Sequence, residues 1–104
     1  MTDMHRMTIL YGMPDNPEAF RRYYYDTHIP IARQMKGLTG WNLSWVDDPS
    51  SRYLLIAELY TASATAMDEI LASPEGVAAS ANLDNFVTGG VEFLRGEEEQ
   101  VELI

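Results

Sequence analysis

The chain reads as an α+β protein in the order strand, helix, strand, strand, helix, strand, with a four-stranded antiparallel sheet covered by helices on one face. Three observations predict this. A helix-period run of aromatics from Phe20 to Met35 lies between two short strand-like segments. Tyr53 to Tyr60 alternates with period two, yet both of its faces are largely apolar. Two helical stretches follow before a last strand-like segment at Val91. At 104 residues and 46% hydrophobic content, the chain is predicted to form one domain, spanning residues 1–104, around one core.

Met7 to Tyr11 is β-branched and aromatic, stops at Gly12, and is predicted as the first strand. After a turn over Gly12 to Asn16, Asn16 suits a helix cap, Pro17 the first helical turn, and Glu18 the positive end of the helix dipole. The first helix is expected from about Pro17 to Met35, with Gly37 as its stop. Phe20, Tyr23, Tyr24, Ile31 and Met35 form its apolar stripe, with His28 one turn beyond Tyr24. Pro30 has no amide hydrogen and disfavours the α region at Ile29, so the helix is expected to kink or restart there, with backbone carbonyls freed near the imidazole.

Trp41 to Val46 alternates Trp41, Leu43 and Trp45 with Asn42 and Ser44, which marks a second strand. The hairpin loop is Asp47 to Ser51. In the third strand Tyr53, Leu55, Ala57 and Leu59 share one face, and Leu54, Ile56, Glu58 and Tyr60 the other. Ala64 to Ala72 is helical by period, and Ser73-Pro74-Glu75 caps a further helical stretch to about Phe86. Gly89-Gly90 breaks it. Val91 to Arg95 is the fourth strand, Glu97 to Glu99 a solvated turn or tail, and Val101 to Ile104 an extension or short fifth strand. This βαββαβ order is the split βαβ pattern of ferredoxin-like folds.

Helices cover only one face of such a sheet. Burying each large apolar side chain is worth about 1.5–3 kcal/mol, so the open face is expected to pair with a second copy as a two-fold homodimer.

A net charge of −9, with no basic cluster larger than Arg21-Arg22, argues against nucleic acid and anionic membrane surfaces as partners. Residues 1–36 hold five basic and four acidic side chains, and residues 37–104 hold two and twelve. Any anion-friendly corner is therefore local. Arg21, Arg22 and Arg33 are one such corner, or else a solvated helix face with Arg22 and Asp26 as an i,i+4 pair. The absence of cysteine removes thiolate chemistry and disulfides and makes a cytoplasmic location the expectation. No run approaches the ~20 apolar residues of a transmembrane helix, so the chain is expected to be soluble and unprocessed.

Two histidines without cysteine or His-x-x-x-His spacing offer no metal site, and Gly89-Gly90 lacks a dinucleotide turn, so no cofactor is expected. There is no Gly-x-Ser-x-Gly either. What remains is cofactor-free acid–base chemistry or simple ligand binding. His28 titrates near neutrality and is the catalytic candidate; alternatively, its ring binds a carbonyl freed by Pro30 and only fixes the bend. Glu58 either orients that imidazole or sits at a wet sheet edge or in an interface ion pair. Tyr11, Tyr24, Tyr25, Ile31 and Glu58 are candidate substrate contacts, while Tyr53 and Tyr60 are further hydroxyl donors or core. Trp41 and Trp45 share a face as dimer contacts or core, and His5 is expected to be a surface residue.

The segments Phe20-Arg21-Arg22-Tyr23-Tyr24, His28-Ile29-Pro30-Ile31-Ala32 and Gly37-Leu38 ahead of a strand resemble the EthD family of the dimeric α+β barrel superfamily, over nearly the whole chain. The His-x-Pro-x-Ala run is the most specific part. Ser73-Pro74-Glu75-Gly76 and Asp84-Asn85-Phe86 are similar to the family's second-helix pattern, whereas Lys36 stands where a proline commonly precedes the Gly-Leu pair. The resemblance implies a dimeric α+β barrel and an association with bacterial degradation of ethyl tert-butyl ether. Related small barrels include methylmuconolactone isomerases, polyketide dehydratases and cofactor-free monooxygenases. The isomerases carry over an acid–base histidine, here His28, but their cysteine has no counterpart.

The function expected is binding of a small hydrophobic or aromatic catabolic intermediate between the first helix and the sheet. His28 would carry a proton in an isomerase- or dehydratase-type reaction. A non-catalytic accessory or ligand-binding protein of a degradation pathway, and a cofactor-independent monooxygenase, are the alternatives.

Overall fold

Alternation of side chains sorts the sheet into a helix-facing and an open surface, and the computed structural model, which describes residues 4–104, shows which set goes where. The strands are β1 (Met4–Gly12), β2 (Gly40–Trp45), β3 (Tyr53–Thr61) and β4 (Val91–Glu98). They pair antiparallel in the order β2-β3-β1-β4, as the βαββαβ pattern requires. Met7, Ile9 and Tyr11 face Leu59, Ala57 and Leu55 across the β1–β3 ladder, and all six are buried beneath the helices. Trp41, Leu43 and Trp45 extend the same row on β2, so the tryptophans belong to the helix side rather than to the open face.

β1 begins three residues before the predicted start, because Met4 to Arg6 pair with Glu98 to Gly96. The glutamate run is correspondingly not a turn: Glu97 and Glu98 end β4, and the chain from residue 99 to 104 is irregular, with no fifth strand. Gly12 passes so close to Gly89 that a Cβ on it would lie 1.9 Å from the Gly89 carbonyl oxygen. This close approach ties the end of β1 to the start of β4, with Gly12 N donating to Gly90 O at 2.8 Å.

On the covered face, α1 (Pro17–Tyr23) starts as predicted: Asn16 Oδ1 accepts from Ala19 N at 3.1 Å and Pro17 occupies the first turn. The interruption expected at Ile29-Pro30 appears as a change of winding, not a gap: α-helix resumes at Ile29 with Pro30 in its first turn. The helix widens into a π-helical turn over Tyr24–His28, closed by Ile29 N donating to Tyr24 O, and continues as α2 (Ile29–Ala32). In a regular α-helix the Pro30 ring would meet the Asp26 carbonyl four residues back, and the wider turn supplies clearance ahead of the ring. Arg33 N still bonds Ile29 O four residues back, after which Gln34 and Met35 make i→i−3 bonds and the helix ends, while Gly37 takes a positive φ of 104° in the loop beyond.

The second helical stretch divides as expected at Ser73 into α3 (Ala64–Ala72) and α4 (Pro74–Asn82), followed by a 3₁₀ turn over Leu83–Asn85. Ser73 serves both helices: its Oγ donates to Ile70 O at 2.6 Å and accepts from Gly76 N at 3.1 Å. Gly76 is required at this junction, since a Cβ there would lie 2.1 Å from the Ile70 carbonyl oxygen.

Candidate functional site

The two halves of the helical layer meet the sheet differently because their inward residues differ in size. From α1 and the π turn, Phe20 and Tyr24 pack edge-on against Tyr11, at ring-centroid distances of 5.5 and 5.8 Å, and Phe86 completes the aromatic cluster. That half is filled. From α4 the inward residues are Gly76 and Ala79, too small to reach the sheet, and a cavity of about 280 Å³ remains. Met7, Ile9 and Leu59 form its floor, α4 its roof, and Phe93 and Arg95 one side. The hollow therefore lies beneath α4 and not between the first helix and the sheet. A larger hollow of about 750 Å³ beside the C-terminal tail is walled by Glu98, Glu99 and Glu102, an acidic surface notch rather than an enclosed site.

Tyr11 is the one predicted site residue that lines the cavity. It is fully buried, and its hydroxyl has no hydrogen-bond partner among the described residues. The indole Nε1 of Trp41 is also buried and unpartnered. The Tyr24 hydroxyl lies near both groups without meeting hydrogen-bond geometry to either, so three polar atoms converge in an apolar interior. Burial raises the Tyr11 pKa, and Tyr24 raises it further; burial also raises that of Tyr24. Both phenols are neutral at physiological pH and available as donors.

His28 is brought into the interior by the π turn and is only 5% exposed. Its ring lies 5.1 Å from Tyr24 and 5.0 Å from Phe86. The freed-carbonyl contact is not what holds it: Nδ1 is 2.9 Å from Asn82 Oδ1, and Asn82 Nδ2 donates to the Tyr23 hydroxyl, also at 2.9 Å. With the amide oxygen as acceptor, the neutral ring carries its proton on Nδ1, which leaves Nε2 with its lone pair. Burial lowers the His28 pKa, and the Asn82 bond only partly opposes this. His28 does not line the cavity, although Ala79 and Leu83, on either side of Asn82, do.

The other predicted residues disperse. Glu58 points away from the helices, opposite Thr8 and Asn42, and pairs with Arg6 at 3.3 Å, so it cannot orient His28. Arg6 also holds Glu98 at 2.8 Å. Tyr25 is exposed, accepts from Trp45 Nε1 at 2.9 Å, and lies with Trp45 beneath the Arg21 guanidinium. Arg21 thus stacks on an aromatic surface, and the Arg22–Asp26 pair is absent among the described residues. Ile31 is half-buried away from the cavity, and Tyr53 donates to Glu92 at the surface.

Sequence reasoning missed Asn82, Trp41 as an unpartnered donor, and Arg95. Asn82 had a signal, because asparagine favours caps over helix interiors and one set in a helix needs a reason. The other two depend on strand register.

The EthD domain profile matches residues 16–90. The chain is 37% identical over 102 residues to an uncharacterised 11.0 kDa protein of Rhodococcus erythropolis from the thcB-thcC intergenic region, covering 94% of this chain and 98% of that protein. A crystal structure of an ethyl tert-butyl ether d (EthD) family protein from Bacillus halodurans superposes with a TM-score of 0.86 at 24% identity, covering 92% and 99% of the two chains. A dimeric protein of unknown function and ferredoxin-like fold from Bacteroides fragilis superposes with a TM-score of 0.69 at 10% identity, covering 94% and 98%. Element order, sheet topology and the matched segment agree: the chain belongs to the EthD domain family.

Proposed function

We propose that this protein binds a small, largely apolar catabolic intermediate in the cavity beneath α4, with the Tyr11 hydroxyl donating to an oxygen of the ligand. The observation that carries this reading is the buried, unpartnered phenol beside a hollow lined mainly by apolar side chains. A buried donor without an acceptor costs about 1–3 kcal/mol, a cost that ligand binding relieves. At about 280 Å³ the space lies at the lower limit for small-molecule sites. The resemblance to proteins of ether-degrading clusters supports a catabolic ligand.

Acid–base turnover through His28 is the second reading. It is favoured by the neutral imidazole, fixed through Nδ1, with Nε2 as the basic nitrogen. It requires Nε2 to reach the ligand past Tyr24 or Phe86. His28→Ala with turnover lost but binding and melting temperature kept would support it; loss of folding would assign the residue to structure.

The open sheet face carries Leu10, Leu54, Ile56 and Leu94, the last 58% exposed, and we propose that a second copy covers it as a homodimer. The dimeric state of the Bacteroides fragilis protein supports this arrangement.

The binding reading is tested by thermal shift across aromatic acids, lactones and ethers, with the wild type and Ala79→Leu, which fills the hollow. A ligand at 100 times its dissociation constant stabilises by about 2.7 kcal/mol, a rise of several degrees in the wild type. No rise for any compound, or an equal rise in Ala79→Leu, overturns the assignment.

A further inference from the structure

Arg95 is the one charged residue that lines the cavity, and in a chain of net charge −9 it is one of only two basic residues after Lys36. It lies on β4 opposite Met7, while Val91, on the same side of the strand, lies opposite Tyr11. At about 3.4 Å per residue, the four-residue offset sets the guanidinium row and the phenol row roughly 13 Å apart at the backbone. Both residues line one hollow. Along the sheet the lining therefore runs from Arg95 to Tyr11 with Met7, Ile9, Leu59 and Phe93 between, and Ser80 of α4 lines the roof.

The guanidinium is oriented but not exhausted. Its Nη1 bonds Asp68 at 2.7 Å, Nη2 the Ala64 carbonyl at 3.1 Å, and Nε the Nε2 of His5 at 2.9 Å. These use three of the five N–H donors of an arginine and leave two. The competing carboxylate, Asp68, is 66% exposed, and such pairs hold weakly against a better-placed anion.

Resting on the reading of this cavity as the ligand site, we infer that the ligand is a small carboxylic acid. Its carboxylate pairs with Arg95, its carbon body lies along Phe93 and Ile9, and an oxygen at its far end accepts from Tyr11. Arginine matches a carboxylate with a planar fork of donors, and the apolar walls disfavour a second charge.

The test measures binding of 3-(4-methoxyphenyl)propanoate and its methyl ester by calorimetry at low salt. The acid should bind wild type about tenfold or more tightly than the ester. Arg95→Met should remove that preference, whereas Arg95→Lys should retain part of it. Because Arg95 also braces α3 through Asp68, Asp68→Asn supplies the opposite arm: releasing the guanidinium should tighten acid binding severalfold without affecting the ester. Equal affinity for acid and ester in wild type, or no response to either substitution, overturns carboxylate recognition while leaving ligand binding in the cavity intact. Failure of both probes to bind overturns the inference as well, with the cavity reading then judged by the wider screen against Ala79→Leu.

Discussion

Nδ1 of His28 and Oδ1 of Asn82 lie 2.9 Å apart across fifty-four residues of sequence, joining the π turn to the last turn of α4. The same amide holds the Tyr23 hydroxyl. One asparagine thus fixes two residues of the first helical segment against the second.

The pH dependence follows from burial. The His28 pKa is depressed in the folded protein, whereas the unfolded chain takes up a proton near ~6.5. Below that value the unfolded state binds more protons, so stability falls as pH drops through 6.5, until the folded ring itself titrates. Above it, this residue contributes no pH dependence. Melting temperatures from pH 8 to pH 5 should decline more steeply for wild type than for His28→Gln, and parallel curves would remove the argument.

Tyr11→Phe separates stability from binding. Deleting a buried hydroxyl that has no partner should leave the unliganded protein unchanged or stabilise it by up to about 1 kcal/mol. Ligand affinity should fall at the same time. Chemical denaturation and calorimetry together check the pair, and a clear destabilisation would mean that the phenol has a partner in the resting protein.

Gly12→Ala and Gly96→Ala form a contrast within one sheet. At Gly12 the new methyl would sit 1.9 Å from a carbonyl oxygen, whereas at Gly96 nothing lies within 4 Å. The first should lower stability by about 2–3 kcal/mol, the second by less than about 0.5 kcal/mol. Urea unfolding measures both.

Ile56→Glu places a carboxylate in the centre of the open sheet face, next but one to Glu58 on the same side. Sedimentation should show a folded monomer where wild type sediments as a dimer. An unchanged assembly would locate the interface elsewhere.

Period-two alternation identified both residue sets of β3 correctly, but parity does not say which set meets the helices. The two readings left open at Glu58 come from that gap: it shares its face with Leu54, Ile56 and Tyr60, and only pairing to β1, where Met7, Ile9 and Tyr11 are buried, fixes the side. Capping signals at Asn16 and Ser73 were legible because they are local. The position of the cavity was not. It follows from Gly76 and Ala79 standing over large neighbours on β1, a difference in volume between segments far apart in sequence. The response of the helix to Pro30 was half legible: the proline announced a disturbance, but the chain resolved it before the ring, by widening rather than breaking.

That widening absorbs one extra residue, so the segments on either side keep the register an unbroken helix would give them. Removing one position between Tyr24 and His28 would restore ordinary winding and leave Ala32 facing the core, but it would bring the Pro30 ring against the carbonyl four residues before it. Deletions in this segment should therefore be far less tolerated than substitutions at Asp26, whose side chain faces water.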